Sequence, residues 1–121
     1  MSLSVYGITN CDTVRKARKW LEQHQITYRF HDVRVEPVAS TTLSSWLQQL
    51  GADALVNKRS TSWRELTSAQ QQSVKQGDND AIVALLQQYP TLMKRPLLAQ
   101  EDRYLTGFNS TAWQQFLELT P

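Results

Sequence analysis

The hydrophobic positions change period along the chain, and each change marks an element. Leu3–Gly7 opens with a short apolar run in which Val5 and Tyr6 favour extended backbone, predicting a buried strand. From Val14 onward the spacing is helical. Val14, Ala17, Trp20, Leu21 and His24 fall on one face of a helix that runs to about His24, with Thr9 or Asn10 expected as its cap. Ile26–Val33 reads as a second strand, with Tyr28 and Phe30 alternating against Arg29 and His31. Two strands flanking one helix make a βαβ unit, so they are expected to run parallel.

Pro37 interrupts this pattern. Ser40 or Thr41 then starts a helix that ends before Gly51, with Leu43, Trp46, Leu47 and Leu50 at helical spacing. Ala54–Val56 and a polar loop, Asn57–Thr61, follow. Ser68–Gln76 is a Gln-rich helix stopped by Gly77. Asp78 or Asn79 caps another over Asp80–Tyr89, which Pro90 ends. Leu97–Ala99 and Tyr104–Thr106 read as a hairpin around Gln100-Glu101-Asp102-Arg103, and Ser110 caps a last helix through Leu119. The order βαβ, several helices, ββα resembles an α/β thioredoxin-like fold: a mixed four-stranded sheet with a helical insertion at roughly residues 40–90, all within one domain over 1–121.

Composition narrows the function classes. The formal charge of +2 over 121 residues is too small to argue for nucleic acid or a membrane surface. No apolar run approaches the ~18 residues that would suggest a bilayer span. The N-terminus lacks the basic and apolar segments of a secretory signal. The single cysteine excludes an intrachain disulfide, so a cytoplasmic chain with a reduced thiol is expected.

That cysteine, Cys11, sits where the first strand gives way to the first helix. There the first backbone N–H groups of the helix lack intrahelical partners, and the positive end of its dipole favours thiolate over thiol. Arg15 lies one turn on and Lys16 beside it, while Asp12 opposes a negative sulfur. The alternative is a small buried hydrophobe, a common fate of a free cysteine. Lys94-Arg95-Pro96-Leu97 is the second feature. A proline just before a strand suits a cis bond or a sharp turn, and the planar guanidinium of Arg95 suits an oxyanion or carboxylate. Its alternative is a solvated basic turn after a helix C-terminus. Asn57-Lys58-Arg59-Ser60-Thr61 is a basic loop that is either surface or part of the same site. His24 and His31 lack metal-like spacing, and the four tryptophans lie on or beside packed helix faces. No Gly-rich phosphate loop, Ser-His-Asp set or paired carboxylate motif is present.

Two segments, Tyr6-Gly7-Ile8-Thr9-Asn10-Cys11-Asp12-Thr13-Val14-Arg15-Lys16-Ala17 and Tyr89-Pro90-Thr91-Leu92-Met93-Lys94-Arg95-Pro96-Leu97-Leu98, carry a resemblance over essentially the whole chain. Together with Tyr104-Leu105-Thr106-Gly107-Phe108 they resemble the ArsC/Spx family, nearest to its YffB-like, ArsC-related members. The resemblance implies Cys11 as nucleophile and Arg95 beside a cis Pro96. Asn10, Thr13, Arg15, Arg59, Lys94 and Pro96 are the expected substrate-binding residues. It also exposes departures. Asn57 and Gly107-Phe108 stand where arsenate reductases of this type carry further oxyanion-binding arginines, and Val14 stands where Spx regulators often carry the second cysteine of a C-x-x-C switch. The implied activity is a glutathione-dependent thiol reductase working through a mixed disulfide. It would hold no bound cofactor, use glutathione as co-substrate, and be resolved by an external thiol such as glutathione or glutaredoxin. Arsenate reduction and an Spx-like role in binding RNA polymerase are the two other implied functions.

Overall fold

The computed structural model describes residues 3–118. The chain divides into two compact units, one built from the chain up to Asp32 and from Arg95 onward, the other from Val33–Lys94. No helix among the described residues is long and apolar enough to cross a membrane.

The first unit is the sheet. β1 (Leu3–Gly7) leads into α1 (Asp12–Gln23) and β2 (Arg29–Asp32). After the helical unit come β3 (Leu97–Gln100), β4 (Arg103–Thr106) and α7 (Ser110–Phe116). The strand order is β2-β1-β3-β4, with β1 parallel to β2 and antiparallel to β3, and β3 antiparallel to β4. This is the mixed four-stranded sheet expected from the βαβ and ββα halves. Leu3 and Val5 on β1, Leu98 on β3, Ala17 and Leu21 on α1, and Trp113 on α7 form its buried core. Burial of the valine and leucine side chains among them contributes roughly 1.5–3 kcal/mol each.

Three local expectations shift. The first helix is capped by Cys11 in extended conformation (φ −103°, ψ 126°), not by Thr9 or Asn10, and the cap position makes no side-chain hydrogen bond. The reason is tertiary: Thr9 gives both its backbone N–H (3.1 Å) and its hydroxyl (2.7 Å) to Asp32 Oδ2, which pins the turn to β2 and delays the helix. β2 is shorter than Ile26–Val33, because only Arg29–Asp32 find partners on β1. Asn109 rather than Ser110 caps the last helix, its side chain accepting from Ala112 N at 3.0 Å, and the expected end at Leu119 lies outside the described residues.

The second unit is helical: α2 (Ser40–Leu50), α3 (Ala52–Leu55), α4 (Thr61–Glu65), α5 (Ser68–Lys75), α6 (Asn79–Gln88) and a 3-10 turn at Pro90–Leu92. α2 and α5 pack on α6, burying Leu43, Trp46, Leu47, Val74, Ile82, Leu85 and Leu86. The helix α4 starts at Thr61, where the expected polar loop ends, and fills a stretch for which the pattern predicts no element. Ser60 Oγ accepts from Trp63 N at 3.1 Å and caps it, while Trp63 is buried. Thr67 and Gln70 form a reciprocal capping box at α5, and Asp78 caps α6. A short pairing of Val56 with Met93 is extended by Asn57 N to Leu92 O (2.8 Å) and Lys94 N to Leu55 O (2.8 Å).

Candidate functional site

The register of the sheet gathers the chemistry at one end. Tyr6 on β1 pairs with Leu97 on β3, so the next step sets Gly7 opposite Pro96. Gly7 also pairs with Asp32 on β2, and Gly107 N donates to Pro96 O at 2.8 Å beyond the last β3–β4 pair. The β1–α1 turn, the Arg95–Pro96 peptide, Asp32 and Gly107 therefore share the end of the sheet at which β1 hands over to Cys11. Gly7 is required there: a Cβ would lie 2.8 Å from Val14 Cγ2 and 3.1 Å from Cγ1, so α1 seats against the strand only without one.

Cys11 is half-buried, with its carbonyl accepting Arg15 N at 2.9 Å as the first turn of α1 closes. Asp12, Thr13 and Val14 supply the first N–H groups, and no cap side chain competes for them. Asn10 and Thr13 are exposed on either side. The Arg15 guanidinium is ion-paired with Asp12 on the helix surface, with both side chains largely exposed. That pairing answers much of its charge locally and reduces what it offers to an anion at Cys11.

Arg95 behaves differently. Its peptide bond to Pro96 is cis. Its Nε and Nη1 atoms are shut off from solvent and have no hydrogen-bond partner. A buried donor left unpaired costs about 1–3 kcal/mol, more when charged, so a cation placed this way is complementary to an anionic group that occupies it. Nearby on β1, Tyr6 stacks on His31 (centroids 4.5 Å apart, planes at 12°). Burial first, and then Tyr104, raise the Tyr6 hydroxyl above its ordinary range against a smaller opposing pull from Arg29.

The remaining expected residues belong to the helical unit. Arg59 is exposed, and its N–H donates to Asn57 Oδ1 at 3.0 Å. Ser60 N and Oγ both donate to Asn57 O, and Lys58 reaches Asp53 at 3.1 Å. Lys94 is held next to this turn by its bond to Leu55. Among the described residues, no three His, Cys, Asp or Glu side chains gather as a metal site would need. His24 instead accompanies Trp20, its Nδ1 lying 2.8 Å from the Trp20 carbonyl. Asp32 is the neighbour of this turn that pattern reading missed. Its partner Thr9 is 23 positions away, so no local spacing marks it.

A model of the ArsC family matches residues 6–116. An uncharacterised protein of Haemophilus influenzae is 44% identical over 112 residues, covering 93% of this chain and 96% of that protein. The global transcriptional regulator Spx 2 of Oceanobacillus iheyensis is 29% identical over 119 residues, 97% of this chain and 84% of its own. The solved structure of a YffB protein superposes with a TM-score of 0.87 at 32% identity, covering 94% of this chain and 97% of that one.

Proposed function

The chain belongs to the ArsC family, and from that premise we propose that it is a glutathione-dependent thiol reductase with Cys11 as its nucleophile. The Cys11 thiolate attacks the glutathione sulfur of a mixed disulfide. The Cys11–glutathione disulfide forms, the original S–S bond breaks, and the substrate leaves as a thiolate that takes a proton from solvent. Because the chain has one cysteine, a second glutathione must resolve the adduct. Its thiolate attacks the bound glutathione sulfur, releasing glutathione disulfide and regenerating the Cys11 thiolate. Two electrons thus pass from glutathione to the substrate.

The observation that carries this reading is Arg95, with two buried and unpartnered nitrogens at the sheet end that also presents Cys11. A guanidinium fork of this kind suits a glutathione carboxylate. Thr13 N–H and its neighbours at the start of α1 favour the negative sulfur. Asn10 and Thr13 supply polar contacts to the tripeptide, and Pro96 shapes the wall opposite Gly7. Arg15, paired with Asp12, adds a weaker field. Arg59 and Lys94, on the helical unit, are given no step.

The test is turnover of a glutathionylated peptide with glutathione, coupled to glutathione reductase, together with mass spectrometry of the protein. Wild type is expected to turn over and to trap one glutathionyl group on Cys11. Cys11→Ser is expected to fall to background in both while its melting temperature stays close to wild type. Turnover that survives Cys11→Ser would overturn the proposal.

The Arg95 fork suits arsenate equally well. That alternative gains if arsenate drives glutathione oxidation faster than the peptide disulfide does. A regulator that acts by binding is favoured only by the Spx relative, and capture of RNA polymerase that persists in Cys11→Ser would promote it.

A further inference from the structure

Beside this end of the sheet lies a cleft of about 200 Å3, open to solvent, lined by Leu105, Thr106, Gly107, Phe108, Asn109, Ala112 and Trp113. It starts at Gly107, whose N–H is bonded to the Pro96 carbonyl, so it continues directly from the peptide that carries Arg95. Gly107 takes a left-handed conformation (φ 81°), and a Cβ placed there would meet nothing within 4 Å. Phe108 stands edge-on to Trp113 with centroids 5.0 Å apart, and Trp113 is fully buried beneath it.

Several polar groups of this lining are already engaged. Trp113 Nε1 donates to Gly107 O at 2.9 Å, Asn109 Oδ1 accepts from Ala112 N at 3.0 Å, and Thr106 is likewise partnered. Beside them the Leu105, Ala112 and Phe108 side chains give the cleft an apolar wall, backed by the buried Trp113 ring. An apolar cavity of about 150 Å3 suffices for a benzene ring, so the cleft has room for an aromatic or branched side chain. A bare oxyanion has no part that uses such a surface, and neither does the unbranched tripeptide glutathione.

We infer that this cleft is a specificity subsite for a large apolar side chain of a peptide disulfide. The inference rests on the thiol-exchange activity proposed above. The distance suits a peptide. The cleft opens at β4 and Cys11 follows β1, two strands away in the order β1-β3-β4. Two strand spacings are about 10 Å, and an extended peptide covers that in roughly three residues. The substrate is therefore a glutathionylated peptide carrying Phe, Leu or a similar side chain about three residues from its cysteine. Cys11 attacks the glutathione sulfur, the peptide thiolate leaves, and the apolar side chain holds that leaving group in register.

Two glutathionylated peptides that differ only by Phe or Ser at that position provide the test, in wild type and in Ala112→Leu, which fills the cleft. Wild type is expected to favour the Phe peptide by roughly tenfold in kcat/KM, within the range for apolar-pocket discrimination. The ratio is expected to fall to about one in Ala112→Leu. Equal rates in wild type overturn the subsite. A binding measurement on wild-type protein stands apart from turnover. Titration with the reduced Phe peptide, followed by NMR, should shift the Gly107, Asn109 and Ala112 amides and the Trp113 indole N–H. If neither glutathionylated peptide is turned over, the reductase proposal fails, and the titration alone decides the cleft: shifts at those four groups sustain it as an apolar peptide site, and their absence overturns it.

Discussion

The Asn57–Ser60 turn of the helical unit and the Arg95–Pro96 segment of the sheet unit are both basic stretches beside a change of element, and they use their polar groups in opposite ways. At Asn57–Ser60 the Asn57 side chain accepts from Arg59 N, its carbonyl accepts from Ser60, Ser60 caps α4, and Lys58 pairs with Asp53. Little of the turn's backbone is left for a ligand, and the Arg59 side chain stands exposed in solvent rather than in an enclosed site. At Arg95 two nitrogens are buried with no partner, and across the sheet end α1 starts at Cys11 with no side-chain cap. A turn whose hydrogen bonds close locally gains stability and loses reactivity. A turn that leaves donors open carries a cost in the free protein that an anion can offset.

Four experiments sharpen or break that contrast. The largest effect is expected from Arg95→Met, which keeps much of the side chain's apolar stem and removes the unpartnered donors. Turnover of the glutathionylated peptide should fall by about a hundredfold, the scale of losing one well-placed donor to a developing or bound charge. The melting temperature should hold or rise, since no native hydrogen bond of Nε or Nη1 is lost. Sharply lower stability with intact turnover would reverse the assignment and make Arg95 structural.

Next comes Gly7→Ala. The added methyl would lie 2.8 Å from Val14, which is fully buried, so the start of α1 must move. A loss of roughly 1–3 kcal/mol in urea unfolding is expected, with a fall in the alkylation rate of Cys11 at fixed pH as the turn is displaced. An unchanged unfolding midpoint would show that the strand–helix contact is soft.

Ser60→Ala probes the closed turn. It should cost about 1 kcal/mol through the lost cap of α4 and leave kcat/KM for the glutathionylated peptide unchanged. A selective loss of activity there would show that the Asn57–Ser60 turn serves the chemistry after all.

The smallest effect concerns Tyr6. Its hydroxyl is raised above the ordinary value, chiefly by burial. A raised value in the folded state contributes stability that is fully present below the unfolded-state value of about 10 and is lost as pH rises through the folded one. Tyr6→Phe should therefore flatten the fall in melting temperature above about pH 10, with Tyr28, raised by its own burial, left to titrate. An alkaline limb identical to that of wild type would remove Tyr6 from the account.

Much of this was legible from pattern alone. The helical period from Val14, the hairpin around Gln100–Arg103 and the helix after Asp78 appear close to where the residues put them, because propensity, capping and burial agree there. α4 was hidden because five residues are too few to show a period, and its Ser60 cap and buried Trp63 are visible only once folded. The cap of α1 is Cys11 rather than Thr9 or Asn10 because Asp32, far along the chain, takes the groups of Thr9 that local chemistry would have used.

By itself the sequence determined the order of the strands and longer helices and the placement of one cysteine where a strand becomes a helix, since each depends on residues within a few positions of one another, and the family, since its separate segments each keep a local pattern. Only the tertiary structure decided which charges are left open. Arg15 is answered by Asp12 within its own helix, whereas Arg95 is half-buried at a sheet end, with its Nε and Nη1 shut off from solvent and without an acceptor. Whether a polar group is satisfied depends on everything that surrounds it in space, and at Arg95 those surroundings are assembled by strand pairings between distant parts of the chain.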